Sequence, residues 1–236
     1  RTIDAVGGRV AAVKPQSAFF ERHGSAGIAI LEETLAALRD VGTLSVLDVK
    51  RGDIGSTMAG YAQAYLSDGA PLAADSITVS PYLGYGSLAP ALDLAEAGGR
   101  GVFVLALTSN PEGTTVQHAV SGERAVAAEV VEGVTASNAA ARGEGGLGSI
   151  GLVVGATVGE AVSRLGIDLL RANGPLLAPG VGAQGAGATE LESVFGPARR
   201  HVLASTSRGV LKAGPSIEAL RAAALAATHE AAAALR

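Results

Sequence analysis

The sequence contains no cysteine and no tryptophan, and only 17% of its 236 residues are charged. The absence of cysteine excludes disulfides and thiolate metal sites and is compatible with a reducing cytoplasm, where we expect the protein to function. A net charge of −4 gives no electrostatic support for nucleic-acid binding. No apolar run is long enough to cross a membrane, and we expect no signal peptide. The hydrophobic content of 48% instead predicts a globular protein with a substantial core.

Apolar runs alternate with segments of helical pattern along the whole chain. Seven runs are typical of strands, near residues 10, 45, 77, 103, 152, 177 and 203, and each is followed by a predicted helix. In the helix predicted over 26–40, for example, Ile28, Leu31, Leu35 and Leu38 share one face. Regular alternation of strands and helices predicts a parallel sheet, with polar, Gly or Pro residues at the C-terminal end of each strand.

The α/β fold that best accounts for this pattern is a (β/α)8 TIM barrel, formed as a single domain by residues 1–236. The chain begins with Arg1 rather than Met, and Thr2 to Gly8 is typical of the end of a helix. We therefore expect the first strand of the barrel to precede Arg1 and to be missing from this chain. The alternative is a doubly wound open sheet, which predicts a G-x-G-x-x-G turn after its first strand, and the sequence has none there.

The run from Leu47 to Thr57 combines charged residues with the change from strand to helix. It reads Leu-Asp-Val-Lys-Arg-Gly-Asp-Ile-Gly-Ser-Thr and places Asp48, Lys50 and Asp53 in a D-x-K-x-x-D spacing. Asp48 and Lys50 alternate with apolar residues, so we expect their side chains on one face of the strand end. Chemistry in parallel α/β proteins takes place at this end of the strands, although a solvated charge cluster would give the same spacing.

Two further strand ends carry candidate site residues. Lys14 ends the strand predicted to lie beside the one with Asp48, and it is either a surface lysine or the third member of an alternating charge array with Lys50. The segment from Thr108 to Gly113 follows a core strand, and its Asn-Pro pair is typical of a turn whether or not it binds a ligand.

The last two predicted strands are followed by candidate phosphate-binding segments. The loop from Pro179 to Gly185 is rich in glycine, which would leave backbone N–H groups open to an anion. Ser205 to Arg208 lies at the next strand end, and Arg208 would supply a charge for bidentate phosphate binding. The four histidines lack the spacing of metal ligands, so we predict no metal site.

Several of these segments resemble one known family, in the same order along nearly the whole chain. The run from Leu47 to Thr57 resembles the D-x-K-R-G-D-I-G-S-T signature in the bacterial branch of the orotidine 5'-phosphate decarboxylase family. The other segments that resemble family motifs are Lys14-Pro15-Gln16 with Phe19-Phe20-Glu21, Ser80-Pro81-Tyr82-Leu83-Gly84, Ser109-Asn110-Pro111, Pro179 to Gly185, and Ser207-Arg208.

The resemblance implies a dimeric (β/α)8 barrel that converts orotidine 5'-phosphate to UMP and CO2 without a cofactor or a metal. It implies that Lys50 donates a proton to C6 of the pyrimidine and that Asp48 lies beside the departing carboxylate. Lys14 would bind the ribose and Asp48. The family also has an Asp at the end of its first strand, and we expect both that strand and its Asp to be missing from this chain.

The same resemblance implies the substrate-binding residues. Asp53 and Thr57 would reach the ribose bound by the other subunit of a homodimer. Ser109 would bind the base, and the loop that begins at Pro179 would bring Gln184 to both the base and the phosphate. Ser207 and Arg208 would bind the phosphate.

Two other functions remain open at this point. One is a relative that shares the D-x-K-x-x-D spacing but uses Mg²⁺ to act on a sugar phosphate. The other is a truncated barrel that binds pyrimidine nucleotides without catalysis, which the missing first strand would favour.

Overall fold

The computed structural model describes residues 1–182 and 186–236. Its strands are β1 Ala12–Val13, β2 Leu44–Arg51, β3 Ser76–Val79, β4 Gly101–Leu107, β5 Val120–Ser121, β6 Arg124–Ala125, β7 Ile150–Val154, β8 Leu176–Pro179 and β9 Val202–Ser205. Its α-helices are α1 Thr2–Val6, α2 Ala18–Glu21, α3 Gly24–Asp40, α4 Gly55–Leu66, α5 Ala89–Ala97, α6 Thr114–Gln117, α7 Val126–Ser137, α8 Ala139–Gly143, α9 Ala161–Arg164, α10 Ala188–Phe195, α11 Arg208–Leu211 and α12 Ile217–Ala234.

Within the described residues, seven strands form one sheet in the order β1-β2-β3-β4-β7-β8-β9, which is also their order along the chain. The pairs β1–β2, β2–β3, β7–β8 and β8–β9 are all parallel. A doubly wound sheet reverses its strand order at a switch point, so that alternative is wrong. The observed order is that of a (β/α) barrel. Strands β5 and β6 form a separate antiparallel hairpin.

The chain divides into two compact units. The first unit consists of Arg1–Leu83, Ser87–Val102 and Ser207–Thr228, and the second consists of Gly84–Gly86, Phe103–Thr206 and His229–Arg236. That the whole chain forms a single domain stays a prediction.

The first unit is built on two strands that are buried almost throughout. Residues 45–49 of β2 and all of β3 are buried, as expected for parallel strands covered on both faces. Helix α3 buries the predicted face of Leu31, Leu35 and Leu38, each of which contributes about 1.5–3 kcal/mol of hydrophobic free energy. The site described below is therefore attached to rigid strands.

In the second unit, a buried asparagine joins helix α7 to the sheet. Asn138 follows the last residue of α7 and is 2% exposed. Its Nδ2 donates to the carbonyls of Ile150 (2.7 Å) and Ala172 (2.8 Å), and its Oδ1 accepts from the N–H of Ile150 (3.3 Å). The side chain thus provides hydrogen-bond partners for backbone groups of Ile150, the first residue of β7, and of Ala172.

Some element boundaries differ from the sequence-based predictions. The apolar runs predict strands over Arg9 to Val13 and Leu44 to Leu47, but β1 covers only two residues and β2 continues to Arg51. The spacing of Val158, Val162, Leu165 and Leu169 predicts a helix, but the structure has only the short α9 there, because Gly159 and Gly166 adopt left-handed backbone angles on either side of it. The β5–β6 hairpin was not predicted, since each of its strands has only two residues.

The contacts of Asn138 lead to a stability prediction. We expect Asn138→Ala to lower the free energy of unfolding by about 3 kcal/mol, because two buried carbonyls and one buried N–H lose their partner. The matched control is Asn110→Ala, whose exposed side chain should change stability by less than about 0.5 kcal/mol. Denaturant unfolding of both variants measures the difference, and equal effects would contradict the proposed role of Asn138.

Candidate active site

The carboxylate of Asp48, on β2, is the centre of a buried hydrogen-bonded cluster. Its side chain is 7% exposed and accepts four hydrogen bonds. Oδ2 accepts from Lys14 Nζ at 2.7 Å and from Gln16 Nε2 at 3.0 Å. Oδ1 accepts from Lys50 Nζ at 2.5 Å and from Thr78 Oγ1 at 2.8 Å. Two ammonium groups and one carboxylate therefore lie together at the C-terminal end of neighbouring strands, and of the two alternatives left open for Lys14 the structure shows the charge array.

The charges of the cluster keep Asp48 ionised. Burial by itself would raise the pKa of Asp48, but the charge and hydrogen bond of Lys14 and those of Lys50 outweigh it, so the pKa is lowered. The two lysines differ in their access to solvent, because the side chain of Lys14 is 19% exposed and that of Lys50 is 45% exposed. Lys50 is thus the ammonium group of this cluster that is better placed to meet a ligand.

An irregularity in β2 places Lys50 on the same carboxylate as Lys14. Lys50 has a φ of 46°, in the left-handed region that side chains rarely adopt. The register between β2 and β3 shifts between Leu47 and Arg51, and the N–H of Lys50 donates to Thr78 Oγ1 at 2.9 Å. Strand bulges of this kind redirect side chains at active sites, and left-handed non-glycine residues concentrate there.

The segment after β1 is attached to Asp48 through the main chain as well. The N–H of Asp48 donates to the carbonyl of Pro15 at 2.9 Å, and the N–H of Ser17 donates to the carbonyl of Asp48 at 3.2 Å. These two bonds enclose Gln16, whose side chain also reaches the carboxylate. The position of Lys14 is therefore determined by backbone pairing one residue beyond it.

The turn after β2 requires glycine at position 52. A Cβ on Gly52 would lie 2.3 Å from the carbonyl oxygen of Ser80, whose own N–H donates to the carbonyl of Arg51 at 2.7 Å. Asp53 follows and is partly buried, and its Oδ1 accepts from the N–H of Ile54 at 2.8 Å. Thr57 is exposed in the first turn of α4. Within the described ranges, neither Asp53 nor Thr57 belongs to the cluster around Asp48.

The predicted phosphate-binding residues Ser207 and Arg208 also belong to the first unit. Ser207 immediately precedes α11, Arg208 is its first residue, and both side chains are exposed to solvent. The guanidinium of Arg208 is thus accessible to an anionic ligand.

In the second unit, Ser109 follows β4 and Pro179 ends β8, and these are the two strands on either side of β7. The N–H of Gly155 donates to the carbonyl of Leu107 at 2.9 Å, and the N–H of Ala156 donates to the carbonyl of Pro179 at 3.0 Å. A Cβ on Gly155 would lie 2.2 Å from Ser109 Oγ, so glycine leaves room for that hydroxyl.

The glycine-rich loop that follows β8 departs from one expectation. The N–H of Gly182 donates to the carbonyl of Ala186 at 3.1 Å, and the N–H of Ala186 donates to the carbonyl of Gly180 at 3.0 Å. The idea that all glycine N–H groups of this loop are open to an anion is therefore wrong for Gly182. The predicted ligand residue Gln184 lies outside the described residues.

Two members of the Asp48 cluster were missed by the sequence-based reasoning. Gln16 stands two residues after Lys14, and this spacing could have suggested a shared face. Thr78 lies on β3, which is buried throughout, so periodicity gave no sign of its contacts.

Among residues 1–182 and 186–236, no group of three or more His, Cys, Asp or Glu side chains could hold a metal ion. None of the helices in the same ranges is long and apolar enough to span a membrane.

Comparisons with known proteins agree with the fold and show the family. The model of the orotidine 5'-phosphate decarboxylase / HUMPS family matches residues 1–223. The chain is 60% identical to the orotidine 5'-phosphate decarboxylase of Salinispora arenicola over 223 residues, which cover 94% of this chain and 78% of that protein. It is 58% identical to the enzyme of the same name from Streptomyces coelicolor over 224 residues, with the same coverage.

Solved structures are also similar to this chain. The crystal structure of a putative orotidine 5'-phosphate decarboxylase from Streptomyces avermitilis is similar with a TM-score of 0.93 and 56% identity, covering 99% of this chain and 80% of that chain. The structure of Leishmania donovani UMP synthase is similar with a TM-score of 0.79 and 34% identity, covering 100% of this chain and 49% of that chain.

The contacts of Thr78 lead to the second prediction. Thr78→Val preserves the shape of the side chain but leaves the N–H of Lys50 without an acceptor and Asp48 without one donor. We expect a loss of about 1–3 kcal/mol in the free energy of unfolding. The matched control is Thr135→Val, because this buried hydroxyl donates only to the carbonyl of Val131 in its own helix and should cost less than about 0.5 kcal/mol. A loss at position 78 no larger than at position 135 would contradict the prediction.

Proposed function

Because the chain belongs to the orotidine 5'-phosphate decarboxylase / HUMPS family, we propose that it converts orotidine 5'-phosphate to UMP and CO2 in pyrimidine biosynthesis. The observation that carries this proposal is the buried Asp48 with Lys14 and Lys50 bonded to its two oxygens. The reaction is that of a carboxy-lyase, and its substrate is a small anionic nucleotide. A cytoplasmic location stays a prediction.

The charge cluster suits the chemistry of this decarboxylation. When the bond between C6 and the carboxylate breaks, its electron pair remains on C6, where no adjacent group can delocalise it. A fixed ammonium group near C6 stabilises that charge, and fixed charges in a buried site cost little reorganisation during the reaction. Lys50 has the required charge and the more exposed side chain of the two lysines.

Lys50 then serves as the proton donor. Its Nζ transfers a proton to C6, which completes UMP, and the lysine recovers a proton from water. Asp48 lies beside the leaving carboxylate and adds repulsion that is relieved when CO2 departs. Lys14 maintains the charge of Asp48 and binds the ribose. One electron pair and one proton move, so the reaction in this form consumes no cofactor.

The remaining site residues bind the substrate in this proposal. Ser109 binds the base, and the loop from Pro179 brings Gln184 to the base and the phosphate. Ser207 and Arg208 bind the phosphate, and the exposed guanidinium of Arg208 at the start of α11 supports this role. Binding of the distant phosphate can contribute to the rate by orienting the base over Lys50.

We further propose that the protein acts as a homodimer, in which Asp53 and Thr57 reach the ribose bound by the partner subunit. The segments that follow β1, β2 and β3 carry large exposed apolar side chains at Phe19 in α2 (69% exposed), Ile54 (62%) and Tyr82 (77%). Because these strands are neighbours in the sheet, the side chains lie on one edge of it. An apolar surface of this kind is typical of a protein interface.

The third prediction tests the catalytic role of Lys50. Lys50→Ala should lower turnover of orotidine 5'-phosphate by at least about 10³-fold, since one group supplies both the charge and the proton. Lys50→Arg should also be inactive, because a guanidinium retains its proton at every accessible pH. Both variants should bind UMP within about tenfold of the wild type, because the phosphate contacts remain. Turnover is followed by absorbance and UMP binding by calorimetry.

The wild type is assayed in parallel with EDTA and should retain its full activity. Activity lost on chelation would favour a Mg²⁺-dependent reaction. Wild-type protein that binds UMP but shows no turnover would favour a barrel that only binds nucleotides.

The fourth prediction tests the shared site. Lys50→Ala and Asp53→Ala are each expected to be inactive as homodimers, but mixing them should restore about a quarter of the wild-type activity through hybrid dimers. Half of the dimers would be hybrids, and one of the two sites in each would contain both native residues. Subunit exchange is verified by mass spectrometry of the mixture, and exchange without recovery of activity would contradict the shared site.

A further inference from the structure

Arg51 and Glu21 form an ion pair that the proposed mechanism does not use. Arg51 follows Lys50 at the end of β2, and Glu21 is the last residue of α2. Arg51 Nη2 donates to Glu21 Oε1 at 2.6 Å, and Ser17 Oγ donates to the same oxygen at 2.6 Å. The pair thus connects the strand that carries Asp48 and Lys50 to the segment that carries Lys14 and Gln16.

The guanidinium of Arg51 is itself held in place. Its central carbon lies 5.6 Å from the centre of the Tyr61 ring on α4, within the range of a cation–π contact. Its Nη1 donates to the carbonyl of Val49 at 3.2 Å. The side chains of Arg51 and Glu21 are 29% and 37% exposed, so the pair is only partly shielded from solvent. Arg51 therefore offers Glu21 a fixed partner.

The segment after β1 has few other attachments. Strand β1 pairs with β2 only through Ala12 and Val13. Beyond it, the chain is bound to Asp48 through two main-chain hydrogen bonds and the side chains of Lys14 and Gln16. At its far end, α2 packs against α3, where a Cβ on Gly27 would lie 1.9 Å from the carbonyl oxygen of Phe20. Among the described residues, Glu21 makes the one hydrogen bond from this far end to β2, so the Arg51 contact adds a second attachment to β2 beyond the main-chain bonds.

We infer that Arg51 and Glu21 are positioning residues, which hold the segment from Lys14 to Ser17 against β2 so that Lys14 stays on the Asp48 carboxylate. This inference rests on the proposed function, in which that lysine and carboxylate act on the substrate. The pair itself touches no reacting atom. Its loss should affect the geometry of the charge cluster more than the affinity for the nucleotide, because the phosphate-binding residues lie elsewhere.

The fifth prediction follows from this role. Arg51→Met and Glu21→Ala should each lower kcat about tenfold, a modest loss for an error in positioning a catalytic group, while KM changes less than about threefold. The double variant should be no slower than the worse single variant, because both substitutions remove the same interaction. Glu21→Gln keeps an acceptor oxygen for Arg51 and Ser17 and should retain about half of the wild-type kcat.

Hydrogen–deuterium exchange measures the positioning without any turnover. The amides of Ser17 and Asp48 form the main-chain bonds between the two segments and should exchange faster in Arg51→Met and Glu21→Ala. Helix α5 should exchange as in the wild type, which shows that the fold is intact. The matched control is Asp68→Ala, which breaks the Arg100–Asp68 ion pair in the same unit and should change neither kcat nor exchange at Ser17.

The outcomes separate this inference from the proposed function. A wild type without turnover would refute the proposed function, and exchange at Ser17 and Asp48 would then decide the positioning role by itself. An active wild type whose Arg51→Met variant matches Asp68→Ala in both kcat and exchange would overturn the inference. Losses that multiply in the double variant would also overturn it, because they would show two independent roles.

Discussion

Removing the Asp48 carboxylate from water is the constraint on which the rest of the site depends. The desolvation of a buried carboxylate costs several kcal/mol, and the lost hydration has to be replaced by charges and hydrogen bonds from the protein. Asp48 obtains this from two lysines, one amide and one hydroxyl, which come from β2 itself, from β3 and from the segment after β1. The pairing of β2 with β3 and with the segment after β1 therefore also determines which charges reach the Asp48 carboxylate.

That constraint also accounts for the local irregularities. A regular strand would alternate its side chains evenly, whereas β2 has a register shift and a left-handed Lys50 before its end. Thr78 accommodates both features, since its hydroxyl accepts from the main chain of Lys50 and donates to the carboxylate. The strain of the Lys50 backbone, of the order of 1–3 kcal/mol, is offset by this network rather than by local propensity.

The sequence predicted the strands of the sheet and the neighbouring charges of Asp48 and Lys50 because both follow from local patterns. Apolar runs marked the strands of the sheet, and the alternation of Asp48 and Lys50 with apolar residues placed both side chains on one face of the strand end. Thr78 was missed because its role arises from pairing between strands thirty residues apart, which periodicity does not encode. The helix expected from Val158 to Leu169 was too long because its apolar spacing comes from buried turns, with glycines that interrupt the helix. Predictions thus failed where tertiary pairing or backbone angles, rather than hydrophobic spacing, decided the structure.

In the proposed mechanism, the unequal exposure of the two lysines divides the catalytic roles between them. Lys14 is largely enclosed and can act as a permanent counter-ion for Asp48, whereas Lys50 keeps nearly half of its side chain in contact with solvent. A group that gives away a proton in every cycle needs a route to replace it, and water supplies that route only to the exposed lysine. While Lys50 is briefly neutral, the buried carboxylate still has Lys14 beside it. If Lys50 is the proton donor, the enclosed lysine allows the exposed one to lose and regain its proton while the contacts of Asp48 persist.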